Sequence, residues 1–121
     1  MRNNGPTFYV IAFPNGERKQ KHQEILEYHF RPYKLGTGKY EGAVEDCAIV
    51  FDSTGDKLQG LLELAASWKQ ECILEVDSAR VASLVYSDGT RSRIGTWKAI
   101  KNTKTLPPCY TECDGVYYYA S

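Results

Sequence analysis

Apolar positions along this chain gather in short runs punctuated by glycine, proline and asparagine. Thr7 to Phe13 (TFYVIAF) is β-branched and aromatic and closes on Pro14-Asn15-Gly16, which predicts a strand followed by a turn. Glu17 to Phe30 is polar except at positions such as Ile25, Leu26 and Phe30, and predicts an amphipathic helix that ends before Pro32. Arg31 to Gly42 (RPYKLGTGKYEG) holds three glycines and a proline and reads as a loop. Glycine at that density lets backbone approach a ligand closely. Ala43 to Phe51 reads as a buried strand closed by Asp52-Ser53-Thr54-Gly55. The clearest helix is Asp56 to Lys69, where Leu58, Leu61, Leu62, Ala65 and Trp68 form one apolar face and Ser53 or Thr54 supplies the N-terminal cap. Strands follow at Glu71 to Val76, at Val81 to Tyr86 and Ile94 to Ile100 around the turn Ser87-Asp88-Gly89, and at Val116 to Ala120. This order predicts an α+β fold: a two-layer α-β sandwich whose ferredoxin-like antiparallel sheet carries two helices on one face.

Composition narrows the possible functions. A chain of 121 residues, 42% hydrophobic and 25% charged, predicts a single domain over residues 1–121 with an ordinary core. So small a domain has little room for an enclosed substrate cavity, which favours an oligomer with sites between subunits. Fifteen basic and fifteen acidic residues give a formal net charge of zero. That balance argues against both a phosphate-tracking protein and an acidic DNA mimic. No apolar run approaches the ~20 residues of a membrane span, and Met1 to Pro6 lacks the apolar stretch of a signal peptide. The expected location is the cytoplasm, where Cys47, Cys72, Cys109 and Cys113 stay reduced. Cys47 and Cys72 sit in apolar runs and read as small core residues. Cys109 and Cys113 have no second Cys or His pair nearby, so no metal is expected.

Few residues suggest chemistry directly. Nucleophile-elbow, zinc-protease, P-loop and dinucleotide motifs are all absent. His22 and His29 lie seven apart on the first helix, a spacing that suits a solvated face better than a ligand pair. Glu45 interrupts an apolar strand beside the glycine-rich segment. A carboxylate there is outward-facing on an alternating strand, paired, or functional. Gln70 lies at a helix-to-strand junction, where its amide offers a donor and an acceptor or is an ordinary loop amide. Tyr117, Tyr118 and Tyr119 suggest a terminal strand that packs against a neighbouring subunit.

Several of these segments together resemble one family. Phe8-Tyr9-Val10, the Gly38-x-Tyr40 loop leading to Glu45, the helix ending Trp68-x-Gln70-Glu71-Cys72-Ile73-Leu74, and Ala82-Ser83-Leu84-Val85-Tyr86-x-x-Gly89 are similar to the phage-encoded S-adenosylmethionine lyases (SAMases, formerly called SAM hydrolases). The resemblance implies a trimer of α-β sandwiches similar to the PII proteins, with sites between subunits. It implies cleavage of S-adenosylmethionine to 5′-methylthioadenosine and homoserine lactone without a cofactor, in the cytoplasm of an infected host, countering restriction. By the same resemblance Glu45 and Tyr40 are the catalytic pair. Gln70, Gly42, Ala43 and Tyr33 contact substrate, with Tyr33 competing with Tyr40 as the site tyrosine. The alternative function is a non-catalytic PII-like nucleotide-binding or protein-interaction module.

Overall fold

A computed structural model describes residues 5–40 and 42–121. Met1 to Asn4 and Glu41 lie outside the described residues, and with them most of the segment read for a signal peptide. Strand β1 (Thr7–Ala12) is followed by a 3₁₀ turn (Pro14–Gly16), helix α1 (Gln20–His29), β2 (Tyr33–Tyr40), β3 (Ala43–Asp52), helix α2 (Leu58–Ser67), β4 (Cys72–Val76), β5 (Val81–Tyr86), β6 (Arg91–Ala99), β7 (Tyr110–Cys113) and β8 (Val116–Ala120). The strands close into an eight-stranded barrel in the order β1-β3-β2-β7-β8-β6-β5-β4, with every neighbouring pair antiparallel. No helix among the described residues is long and apolar enough to cross a membrane.

The expected two-layer sandwich with a ferredoxin-like, PII-like sheet is therefore replaced by a closed barrel. Two strands read as irregular chain account for the difference, β2 and β7, and they pair with each other through Thr37–Glu112, Gly38–Thr111 and Lys39–Tyr110. Without them the sheet has open edges; with them it closes, and closure removes the edges. The glycines of β2 read as a loop in the sequence because the reason for them lies in a strand more than 70 residues away. A Cβ on Gly36 would collide with the backbone carbonyl oxygen of Glu112. Glycine there admits a neighbouring strand. The same barrel turns at Asp114 and Gly115, both at positive φ (54° and 81°), which is the two-residue turn joining β7 to β8.

Both helices lie against the outside of one wall. Along β1, Tyr9 and Ile11, followed by Phe13, join Ala48 and Val50 of β3, Ile73 of β4 and Val85 of β5 in one core. Leu26 and Phe30 of the α1 region and Leu61, Leu62, Ala65 and Trp68 of the α2 region complete it. Each of the buried Val, Leu, Ile and Phe side chains contributes roughly 1.5–3 kcal/mol through burial. Alternation then turns Val10 and Ala12 to the barrel interior.

Neither Ser53 nor Thr54 caps α2. The preceding Lys57 takes helical backbone with no side-chain cap bond. Asp52, 2% exposed, instead accepts the backbone N–H groups of Gly55 (2.9 Å) and Lys57 (3.1 Å). The Lys57 ammonium donates to the carbonyls of Arg31 (2.8 Å) and Phe51 (2.6 Å), tying both ends of the crossing together. The Tyr9 hydroxyl is pushed up to about 12, first by burial and then by the Asp52 charge beside it.

Candidate functional site

Inside the barrel, one end encloses a cavity of about 450 Å³, room for one small ligand. The opposite end has a second cavity of about 620 Å³. Trp97 and Tyr118 border both, their rings stacked at 5.6 Å and 10°. Glu45, Tyr40 and Gln70 all line the first cavity, each brought there by a different local device.

Glu45 sits on β3 directly opposite Gly38 of β2. Opposed residues share a face of the sheet, and Gly38 has no side chain to fill the space across from the carboxylate. On its other flank Glu45 packs against Gly16, where a built Cβ would lie 3.0 Å from the Glu45 Cγ. The carboxylate is thus half-buried and faces inward, unlike an outward-facing strand glutamate.

Parity along β2 separates the two candidate tyrosines. Tyr40 lies two residues beyond Gly38 and shares its face, so it lines the cavity while staying 50% exposed. Tyr33 is seven positions from Tyr40 and faces the other way. Its hydroxyl donates to Glu27 Oε1 (3.0 Å) and accepts from the Gln23 amide (3.3 Å), in a surface groove beside α1. Burial, the largest cause, raises its pKa. Tyr33 is therefore not brought together with Glu45, Tyr40 and Gln70.

Gln70 reaches the cavity through the end of α2. Trp68 is the last residue before Lys69 takes left-handed backbone (φ 61°), and the Gln70 N–H returns to the Ala65 carbonyl at 2.8 Å. This hydrogen-bonded helix end usually employs glycine at the left-handed position. It aims the Gln70 amide at the Phe13 carbonyl, 3.4 Å away, bracing the 3₁₀ turn. Gly42 (φ 85°) lies between β2 and β3 and Ala43 opens β3 opposite Tyr40; both are exposed and neither lines the cavity.

Sequence reasoning missed most of the remaining wall. Lys39, Lys69 and Glu71 also border the cavity, Lys69 and Glu71 as exposed residues at its edge. Tyr86 and Tyr118 add aromatic surface, and Tyr110 and Tyr119 border the opening. Of the terminal tyrosines Tyr118 faces the interior, in register with Thr111 and Gly38, whereas Tyr117 lies on the alternate face and meets Tyr110 edge-on at 5.2 Å. Alternation around Val116 to Ala120 was the available signal for an inward face; nothing local marked Lys69.

The cysteines divide by depth. Burial, with the neighbouring Cys113, Asp46, Glu112 and Glu45 charges adding to it, pushes the Cys47 thiol up to about 12. Cys72 is also raised, chiefly by burial, and is half-buried in the cavity wall, not in the core. Cys109 is exposed at the cavity rim. His22 and His29 do not share one environment: His29 is exposed, whereas the His22 ring meets Trp68 edge-on at 5.4 Å.

The fold is thus a closed antiparallel barrel with a largely apolar, tyrosine-bordered cavity at one end, into which Glu45 brings a carboxylate. The model of the S-Adenosylmethionine lyase family matches residues 12–121, and the chain belongs to that family. It is accordingly a lyase acting on S-adenosylmethionine. No curated protein matches the chain.

Proposed function

We propose that the cavity bordered by Glu45, Tyr40 and Gln70 splits S-adenosylmethionine into 5′-methylthioadenosine and L-homoserine lactone. The substrate carries its own nucleophile and leaving group. One α-carboxylate oxygen attacks Cγ, the Cγ–S bond breaks, and its electron pair returns to the sulfonium, which leaves as a neutral thioether. The attacking carboxylate loses its charge as the lactone closes, so no water and no external base are consumed. Alignment is then the main contribution asked of the protein, and good alignment is worth roughly 7–11 kcal/mol in intramolecular reactions.

The observation that carries this reading is the inward carboxylate of Glu45 in a cavity bordered by tyrosines, with the exposed Lys69 and Glu71 at its edge. That lining complements a zwitterionic amino acid joined to a sulfonium. Glu45 holds the cationic end, most directly the ammonium. Tyr40 closes over the substrate at the rim, where tyrosine faces also favour a sulfonium. Gln70 braces the turn beneath Glu45. Lys69, at the cavity edge, replaces the Gly42 and Ala43 amides as the group that meets the carboxylate, since those two residues lie outside the cavity. Tyr33 is given no role.

The assembly we propose is a homotrimer whose subunits complete one another's cavities, supported by the exposure of Tyr40 (50%) and Val44 (64%) at the β2–β3 hairpin. The biological role is removal of the host's methyl donor, which disarms restriction enzymes that depend on it. Glu45→Gln tests the site. It keeps shape and removes the charge, and it should cost about 2–4 kcal/mol, roughly 30- to 1000-fold in rate. Chromatography follows methylthioadenosine, proton NMR separates lactone from homoserine, and light scattering compares particle mass with three times 13.7 kDa. Normal turnover by a folded Glu45→Gln protein rules out the assignment, initial release of homoserine rules out the lactone, and a fully active monomer rules out the shared site.

A further inference from the structure

The turn after β1 lies against both of the polar groups assigned above, and its geometry gives one of its glycines a role. Asn15 and Gly16 take left-handed backbone, φ 57° and 71°. The segment is clipped to β3 at the residue next to Glu45: Phe13 N–H donates to the Asp46 carbonyl at 3.0 Å, and Arg18 N–H donates to Asp46 Oδ2 at 2.9 Å. Gln70 holds its start through the Phe13 carbonyl at 3.4 Å. Tied at these points, the turn has little freedom to retreat from β3.

Gly16 meets Glu45 side-on. A methyl group built on it would stand 3.0 Å from the Glu45 Cγ, 3.3 Å from Cβ and 3.3 Å from Oε2. Carbon atoms prefer separations of about 3.5–4.0 Å. Because the turn is anchored, the glutamate side chain is the partner that must move. Its open side faces Gly38, so it would swing away from the turn and into the space left for substrate.

We propose that Gly16 is a positioning residue for Glu45, its missing side chain letting the carboxylate rest against the turn in the orientation that receives the substrate's cationic end. The inference rests on the assignment of Glu45 under Proposed function. Gly16 touches no substrate; it acts through the glutamate. Gly55 provides the internal control. It takes the same backbone region (φ 82°) in the loop before α2, yet a Cβ there would meet nothing within 4 Å. A substitution at Gly55 therefore imposes the left-handed strain alone, and a substitution at Gly16 imposes the strain and the contact.

The experiment uses the full chain and compares Gly16→Ala, Gly16→Asn, Gly55→Ala, Glu45→Gln and the Gly16→Asn/Glu45→Gln pair by steady-state kinetics with S-adenosylmethionine and by thermal melting. Asparagine accepts positive φ more readily than alanine while still carrying a Cβ, so it keeps the comparison available if the alanine variant does not fold. The expected result is a loss of roughly 10- to 100-fold in kcat/KM for the Gly16 variants, the scale of a sub-ångström to 1 Å displacement. Gly55→Ala should melt earlier with wild-type turnover. In the Glu45→Gln background, Gly16→Asn should cost little more, because the charge it displaces is gone. A folded Gly16→Asn protein with wild-type kcat/KM beside a slow Glu45→Gln overturns the inference and leaves the Glu45 assignment standing. So does an undiminished Gly16 penalty in the double variant. Wild-type turnover by Glu45→Gln overturns both.

Discussion

The barrel has two unlike walls. The wall of β4, β1 and β3 carries α1 and α2 on its outer face and buries Tyr9, Ile11, Ala48, Val50 and Ile73 beneath them. The wall of β7, β8 and β6 contributes no residue to that core, and β2 joins the two walls, with Tyr33 and Leu35 packed against the core. Strand β6 reads as exposed or half-buried throughout, and β8 keeps Val116 40% exposed. The first wall supplies the apolar area that drives folding and positions Glu45 and Gln70. The second supplies Trp97 and Tyr118 and, with Tyr40 of β2, completes the cavity. One wall is built to hold the fold and the other to enclose a ligand, so the two should respond differently to substitution.

The largest expected effect lies on the covered wall. Leu61 is fully buried between α2 and the sheet, and Leu61→Ala should cost about 2–5 kcal/mol. Val116→Ala on the bare wall should stay within about 0.5 kcal/mol. Urea unfolding with a common slope checks both, since an unchanged slope identifies a true stability change. Equal midpoint shifts for the two variants would remove the distinction between the walls.

The same division decided what the sequence revealed. On the covered wall a single periodic signal runs through each element: Leu58, Leu61, Leu62, Ala65 and Trp68 fall on one helical face, and Thr7 to Phe13 is a compact strand. On the bare wall the signals are non-local. Gly36 and Gly38 lower strand propensity within β2, and the strand that justifies them, β7, is four residues long. Asp114-Gly115 was legible, because Asp-Gly between two short runs is a strong hairpin signature. Reading it would have supplied β7 and with it the closed barrel. Within the site, Glu45 stood out because a charge in an apolar strand needs a reason, and parity along β2 favours Tyr40 over Tyr33 for the cavity face. Lys69 and the Gly16 contact carry no local mark, since both arise from chain reversals that bring distant segments together.

A moderate effect is expected at the seam of the bare wall. Gly36→Ala sets a methyl against the Glu112 carbonyl oxygen and beside the Ile49 side chain at 3.1 Å. Backbone cannot rotate aside as a side chain does, so β2 and β7 must separate. Overpacking of this kind costs about 1–3 kcal/mol. Hydrogen exchange at the amides of residues 110–113 should rise more than at those of β1. Uniform exchange across both walls, or a melting temperature equal to wild type, would show that the seam does not hold the barrel closed.

The smallest expected effect is a pH dependence that belongs to the covered wall alone. The His22 ring lies edge-on to Trp68, which stacks on Phe13 at 5.6 Å, and its Nδ1 is buried with no hydrogen-bond partner among the described residues. Burial, and then the nearby charges of Lys21 and Lys19, lower its pKa from the ordinary value near 6.5. In that case the unfolded chain binds this proton more readily than the folded chain. Stability from this source is complete above about 6.5 and is lost as pH falls from there toward the lower folded value. His22→Phe keeps an aromatic ring against Trp68 and removes the titration. The melting temperature of the wild type should therefore drop more between pH 7.5 and pH 5.5 than that of His22→Phe, most steeply just below the ordinary histidine range. Parallel wild-type and His22→Phe curves would mean that the imidazole is as well hydrated folded as unfolded, and that the covered wall is looser beneath α1 than its apolar core implies.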